Sequence, residues 1–304
     1  MFDLKLILVA MLSAFLLNGG GGSGCRAKQN SNSQTQKPVQ GPTEKQTSSS
    51  GELKVLSEGF HSSINEPFIA VIRDAEPYAA LTKLDANLPN LDSSFFDSNA
   101  LIAAFLGERN TGGYAVEITR EGEGGIRLVE KKPGKGMMVP QMITSPFKVV
   151  SVERGASSAV TLSIDDAWRR RMRTYRVTSG NFSLGGGFAG KTEKFELEGE
   201  VNVMRVDRLV TLAFDIRSSN SLKRRLLVES ATGVADSDSQ VTLQRFSAGT
   251  LVDQPNPGLQ ATVTFADKEK KLSIQIGSRP STIADGYIGS GRIEGETSSP
   301  KSAP

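Results

Sequence analysis

The stretch KFELEGEVNV, residues 194–203, alternates apolar with charged or polar side chains. Its apolar residues, from Phe195 to Val203, occupy odd-numbered positions, so an extended chain places them all on one side. A period of two predicts a β-strand with one buried face and one solvated face. The segment 210–216 repeats the pattern with Val210, Leu212, Phe214 and Ile216, which predicts a second strand.

The same alternation recurs along residues 156–296, for example at 263–265 and 272–276. Turn-forming residues separate these segments roughly every ten to fifteen positions, and about eight antiparallel strands with short connections predict a β-meander that forms a barrel or a sandwich. One short helix is predicted from Ser163, because Ser163 and Asp166 have the spacing of a capping box.

Residues 53–153 are predicted to form a small β-rich domain with one short helix, so the fold class is mainly β. Residues 67–72 read as a buried strand, and Asp74 is placed to cap a short helix that begins near Pro77. The run 100–106 is apolar on both faces, which predicts a central strand. Further strands are predicted at 114–119, 126–129 and 147–152.

The beginning of the chain resembles the leader of an exported bacterial protein. Residues 6–17 are apolar, a run shorter than the roughly 20 residues of a spanning helix and of the length of a signal-peptide core. Ser23 and Gly24 are small residues directly before Cys25, as in a lipobox, which predicts lipidation of Cys25. Gly22 departs from that motif, in which an aliphatic residue is expected, so a plain secretory signal is the alternative.

Two polar segments lie outside the predicted domains. Residues 26–51 consist almost entirely of small, polar and basic residues, a composition that cannot bury enough apolar surface to fold. We therefore expect a signal peptide at 1–25, a disordered linker at 26–51 and a disordered tail at 297–304. The expected location is the bacterial cell envelope, with attachment to the membrane through a lipid on Cys25.

Composition and charge restrict the chemistry. The chain has one His, His61, and one Cys, Cys25, which excludes a disulfide pair and a zinc site built from Cys and His alone. Any Ser-His-Asp mechanism would depend on His61, so no catalytic activity, metal or cofactor is expected. The net charge of +3 equals that of residues 26–51, which hold four basic residues and one acidic residue, so nucleic acid is not an expected partner.

A glycine-rich segment at 185–192 matches the Walker A pattern. A phosphate-binding loop must be followed by a helix, whose N-terminal N–H groups hold the phosphates. The alternation that follows Lys191 predicts a strand instead. We therefore interpret the segment as a hairpin loop with no nucleotide site, a reading that applies to Gly185, Gly190, Lys191 and Thr192.

The segment 106–114, Leu-Gly-Glu-Arg-Asn-Thr-Gly-Gly-Tyr, lies between the central strand and an alternating strand, and Pro133-Gly134 and Pro146 follow it. In this order of elements, residues 66–153 resemble the C-terminal domain of the protease complex subunit PrcB family. The most specific residues are Gly107, Thr111, Gly112, Gly113 and Tyr114. The resemblance implies a non-enzymatic accessory subunit that supports the assembly or stability of a surface-associated protease.

Two loops are candidate contact surfaces. The first loop, residues 109–114, contains adjacent glycines, which allow positive φ and a sharp reversal of the chain. It is either a structural corner anchored by the Tyr114 ring or a loop presented to a partner. Its candidate partner-binding residues are Arg109, Asn110, Thr111, Gly112, Gly113 and Tyr114. The second loop, residues 131–136, is basic and leads into Met137 and Met138. These two methionines form either an adaptable contact surface or part of the core.

The leading functional hypothesis is a non-catalytic, membrane-anchored exported protein that binds, assembles or stabilises a secreted protease complex. One alternative is a protease inhibitor that inserts the 109–113 loop into an active site. Another is an envelope structural or small-ligand-binding lipoprotein that uses the second β domain.

Overall fold

The computed structural model describes residues 53–122, 125–153, 160–185, 192–219, 226–250, 256–278 and 288–297. All of them belong to one compact unit, Ser48–Pro304. The predicted signal peptide, the lipidation site Cys25, the linker and nearly all of the tail lie outside the described residues and stay predictions. Among the described residues, no helix is long and apolar enough to cross a membrane.

The described chain is mainly β, as predicted, with short helices between some of the strands. Along the sequence the elements are β1 (Leu53–Gly59), β2 (Phe68–Ile72), α1 (Ala75–Leu84), α2 (Phe95–Ser98), β3 (Asn99–Phe105), β4 (Ala115–Glu121), β5 (Gly125–Lys131), β6 (Phe147–Glu153), β7 (Thr161–Ile164), α3 (Asp166–Arg169), β8 (Arg173–Gly185), β9 (Glu193–Val206), β10 (Leu209–Ser219), β11 (Leu226–Val228), β12 (Ala231–Ser237), β13 (Gln240–Thr250), β14 (Asn256–Ala266), β15 (Lys271–Ser278) and β16 (Ile288–Thr297).

A four-stranded antiparallel sheet, in the order β1-β6-β3-β2, organises the first region. Strand β3 lies between two partners and is buried from Ala100 to Phe105, which confirms the predicted central strand. The predicted cap of helix α1 is confirmed, since the carboxylate of Asp74 accepts a hydrogen bond from the N–H of Ala75 at 2.7 Å, and the helix begins at Ala75, two residues before the predicted start near Pro77. The short helix α2 was not predicted, since four residues carry no readable period.

A second sheet contains β4, β5 and β7 in that order, with β7 parallel to β5. Ser163 lies within β7, so the helix predicted from Ser163 is wrong. Helix α3 begins at Asp166, and its cap is Asp165, whose carboxylate accepts from the Asp166 N–H at 2.7 Å. Pairing with β5 holds residues 161–164 extended, and a local capping pattern cannot reveal that long-range partner.

Eight of the described strands close into an antiparallel barrel. Strands β8, β9, β10, β12, β13, β14, β15 and β16 pair in chain order, β16 pairs with β8 to close the ring, and β11 adds to β13. The predicted meander is therefore confirmed as a barrel. The alternating residues from Phe195 to Val203 point into the interior, where they join a continuous cluster of buried apolar side chains. Filling by side chains is typical of a barrel with this number of strands.

The outer wall of the barrel covers the free edge of β2. The hydroxyl of Thr211 donates to the carbonyl of Ile69 at 2.6 Å, and the N–H of Val71 donates to the hydroxyl of Thr232 at 2.7 Å. The two hydroxyl oxygens lie 2.8 Å apart. These side chains supply the hydrogen bonds that a neighbouring strand would otherwise make, so a buried edge strand carries no unmet backbone groups at these positions.

Trp168 makes a second buried link between the two predicted domains. Its indole N–H donates to the carbonyl of Phe105 at 2.7 Å, and its side chain is fully buried. Met204 and Leu209 of the barrel wall belong to the same apolar cluster as the first sheet. The apolar core of the first sheet therefore includes side chains of the barrel wall, which belong to the second predicted domain.

Candidate functional site

The candidate residues lie at a corner between β3 and β4, here defined as residues 107–114. The corner begins at Gly107, where φ is +71°. A Cβ at this position would lie 2.6 Å from the carbonyl oxygen of Asn65, which also accepts a hydrogen bond from the N–H of Glu108 at 3.0 Å. Both the positive φ and the close backbone therefore require glycine here.

Arg109 holds the corner together from within. Its guanidinium contacts one carboxylate oxygen of Glu130 through Nε and Nη2, both at 2.8 Å, and donates to the carbonyl of Leu106 at 2.7 Å. The Arg109 side chain is 19% exposed, and its Cζ lies 5.7 Å from the centre of the Tyr114 ring. The backbone of Arg109 exchanges two hydrogen bonds with Thr144, at 2.7 and 2.9 Å. The charge of Arg109 is thus engaged inside the protein.

The rest of the corner is fixed to the segment 133–146. The carbonyl of Thr111 accepts from the Thr144 hydroxyl at 3.1 Å, and the N–H of Gly112 donates to the carbonyl of Pro140 at 2.9 Å. Gly113 has a φ of +85°, and a Cβ there would lie 2.9 Å from a methyl carbon of Val139. This part of the corner is held by packing as well as by hydrogen bonds.

The structure brings all six predicted partner-binding residues together in the corner, but it exposes them unequally. Asn110 and Gly113 are exposed, Gly112 is buried, and Arg109, Thr111 and Tyr114 are intermediate. The corner is a rigid support, and its solvent-facing part is small.

A set of exposed apolar side chains lies beside the corner on the segment 137–143, here called the methionine segment. Met138 is fully exposed, Met137 is 66% exposed, and Ile143 is 63% exposed. The alternative that Met137 and Met138 belong to the core is therefore wrong. Met142 is also exposed, as is Phe60, whose carbonyl accepts from the Ser145 N–H at 2.7 Å.

Sequence reasoning missed Phe60, Met142 and Ile143. Each lies outside any alternating strand, at the border of a polar or proline-containing stretch. That position was the one available signal that these side chains are exposed. Isolated apolar residues in such positions are ordinary on protein surfaces, so the sequence alone does not distinguish them.

The sequence also singled out His61 and the glycine-rich segment 185–192. His61 is exposed and pairs through its backbone with Ser145 as a single β-bridge. In the part of the chain that the structure describes, no group of three or more His, Cys, Asp or Glu side chains is arranged to hold a metal ion. The glycine-rich segment begins at Gly185, the last residue of β8, and β9 begins directly after Thr192 and pairs antiparallel with β8. Gly190 and Lys191 lie outside the described residues.

Comparison with known proteins identifies part of the first region. No curated protein and no solved structure matches the chain. The family model described as PrcB C-terminal matches residues 100–153, a shorter span than the resemblance drawn from sequence at 66–153. The matched residues run from β3 to the end of β6 and include the corner and the methionine segment. This four-stranded portion of the chain is therefore a match to the PrcB C-terminal family.

Proposed function

We propose that this protein is a non-catalytic partner of a secreted protease complex, exported and attached to the membrane through Cys25. The family match supports a role related to a protease complex, and the family is not known as a catalytic one. The observation that carries the proposal is the exposed apolar surface inside the matched residues. Several large apolar side chains exposed within one short segment are typical of a protein-binding site.

The docking face consists of the methionine segment, Phe60 and the exposed part of the corner. Methionine side chains are flexible and polarisable, so they adapt to the surface of a partner. The corner gives this adaptable surface a fixed base, since Arg109 and Gly113 hold it against the segment 133–146. A rigid base lowers the entropy that binding must overcome.

Crosslinking and affinity purification of the tagged chain from its own envelope test the proposal, with an unrelated lipoprotein as the reference. We expect a secreted protease to be enriched, and we expect Met138→Glu combined with Ile143→Glu to abolish that enrichment. Val55→Glu is the matched control, because Val55 is an exposed apolar residue of β1 that lies outside the docking face. Enrichment of envelope components without a protease would contradict the proposal.

Two further measurements test the details. Purified chain added to cysteine and serine proteases should leave their rates unchanged, whereas a slowed rate would support the inhibitor alternative. Cys25→Ser should move the protein from the membrane fraction to the soluble fraction, because serine cannot carry the lipid that attaches the chain to the membrane. Retention of the variant in the membrane would contradict lipid attachment at Cys25.

A further inference from the structure

The exposed methionines of the described residues are concentrated on one segment. Met138 is fully exposed, Met137 is 66% exposed and Met142 is 47% exposed. By contrast, Met204 is 2% exposed within the apolar cluster of the first sheet, and Met172 is intermediate. The methionine segment is therefore the part of the described chain where a reagent in the solvent meets methionine side chains most readily.

These side chains are open to oxidation. The single cysteine, Cys25, lies outside the described residues, so every sulfur of the described residues belongs to a methionine. The sulfur lone pair attacks one oxygen of hydrogen peroxide, the O–O bond breaks, and the proton on the attacked oxygen passes to the departing one, which leaves as water. The sulfur loses two electrons and the peroxide is reduced. The product, methionine sulfoxide, is polar where the thioether was apolar.

The backbone of the methionine segment is held by groups that this reaction leaves unchanged. The carbonyl of Pro140 accepts from the N–H of Gly112 at 2.9 Å. The backbone of Thr144, directly after the segment, exchanges two hydrogen bonds with the backbone of Arg109. These contacts involve no sulfur atom, so oxidation changes the polarity of the surface and leaves in place the hydrogen bonds that position it.

We propose that the methionine segment is an oxidation site, at which a peroxide converts Met137, Met138 and Met142 to sulfoxides and turns the docking face from apolar to polar. The consequence for a partner rests on the proposed function. A sulfoxide must lose its hydrogen bonds to water to enter an apolar contact, so the oxidised chain releases the protease. A methionine sulfoxide reductase restores the thioether, because a dithiol supplies two electrons, becomes a disulfide, and the oxygen leaves as water.

Peptide mapping by mass spectrometry tests the site on the purified full chain treated with hydrogen peroxide. We expect Met138 to gain an oxygen atom first and Met137 and Met142 next. Met204 should react at least about tenfold more slowly, because a buried sulfur reacts only when the fold opens locally. The treated chain should keep the Tm of the untreated chain. Oxidation of Met204 at the rate of Met138, or a lowered Tm, would overturn the proposal.

Retention on a phenyl resin measures the apolar surface without any partner, and each protein is compared with its own untreated sample. The treated native chain should elute earlier. A triple variant, Met137→Leu with Met138→Leu and Met142→Leu, stays apolar and has no sulfur to oxidise there, so treatment should leave its retention unchanged. Met172→Leu is the matched control, and its retention should shift as that of the native chain does. An equal shift in the triple variant would overturn the proposal.

Affinity purification from the envelope separates this inference from the proposed function. When the untreated chain enriches a protease, selective oxidation should lower that enrichment at least about tenfold, and treatment with the reductase should restore it. Undiminished enrichment by the oxidised chain would overturn the release of the partner and leave the proposed function standing. Absence of a protease from the untreated sample would contradict the proposed function instead, and the peptide map and the retention would still decide the oxidation site.

Discussion

Arg73, just after β2, and Glu229, between β11 and β12, form an ion pair with Nη2 and Oε2 2.8 Å apart. Both side chains are almost fully buried, at 4% and 2% exposure. The pair joins the end of β2 in the first sheet to the connection between β11 and β12 on the barrel. A buried pair of this kind is costly to break, because one uncompensated charge stays behind.

Glu229→Gln should therefore lower the free energy of unfolding by about 3–5 kcal/mol, measured by urea denaturation. The control is Glu58→Gln, which removes the exposed partner of Lys148 and should cost no more than about 1 kcal/mol. The double variant Arg73→Met with Glu229→Gln should recover most of the loss, since it removes both charges and keeps an oxygen that accepts from the N–H of Val160. Equal effects of Glu229→Gln and Glu58→Gln would show that the buried pair is unimportant.

Thr232→Val should destabilise the junction between β2 and the barrel by about 1–3 kcal/mol, because the N–H of Val71 loses its acceptor in a buried site. Hydrogen exchange of the Val71 amide should accelerate more than exchange within β3. Thr242→Val is the control, since the Thr242 hydroxyl donates to Asp236 at an exposed position. An unchanged Val71 exchange rate would contradict the role given to Thr232.

Gly113→Ala should destabilise the protein more than Gly122→Ala. Both glycines have positive φ, but a Cβ at Gly122 meets nothing within 4 Å, whereas a Cβ at Gly113 lies close to Val139 and Pro133. The φ strain is about 1–2 kcal/mol in both variants, and crowding adds about 1–3 kcal/mol at Gly113. Thermal unfolding of the two variants measures the difference, and equal Tm values would show that the corner yields to the added methyl group.

Burial raises the pKa of Tyr78 from 10.0 to about 12. An unfolded tyrosine releases its proton near its ordinary pKa, so between about pH 10 and 12 the folded chain retains a proton that the unfolded chain has lost. This contribution to stability is complete below that window and is lost as the pH rises through it. Tyr78→Phe should flatten the alkaline decrease in unfolding free energy, measured by urea denaturation from about pH 8 to 11.5. Parallel pH profiles would contradict this effect.

Local pattern determined much of this protein. The alternation around 194–203 predicted a strand and its buried face, because successive side chains of a strand point to opposite faces and the apolar ones mark the buried face. The run at 100–106 is apolar on both faces, and it therefore predicted a central strand. Asp74 as a helix cap and the reversal at Gly112 and Gly113 were also predictable, since caps and turns depend on near neighbours.

Tertiary structure decided which surfaces meet. Alternation fixes the face of a strand but not its partner, so the closure of β8 on β16 and the parallel pairing of β5 with β7 could not be predicted from the sequence. Thr211 and Thr232 look like ordinary polar residues until β2 lies against them. The exposure of the methionine segment has the same origin: whether an apolar residue is buried depends on what the rest of the chain places over it, and that is a property of the fold rather than of the residue.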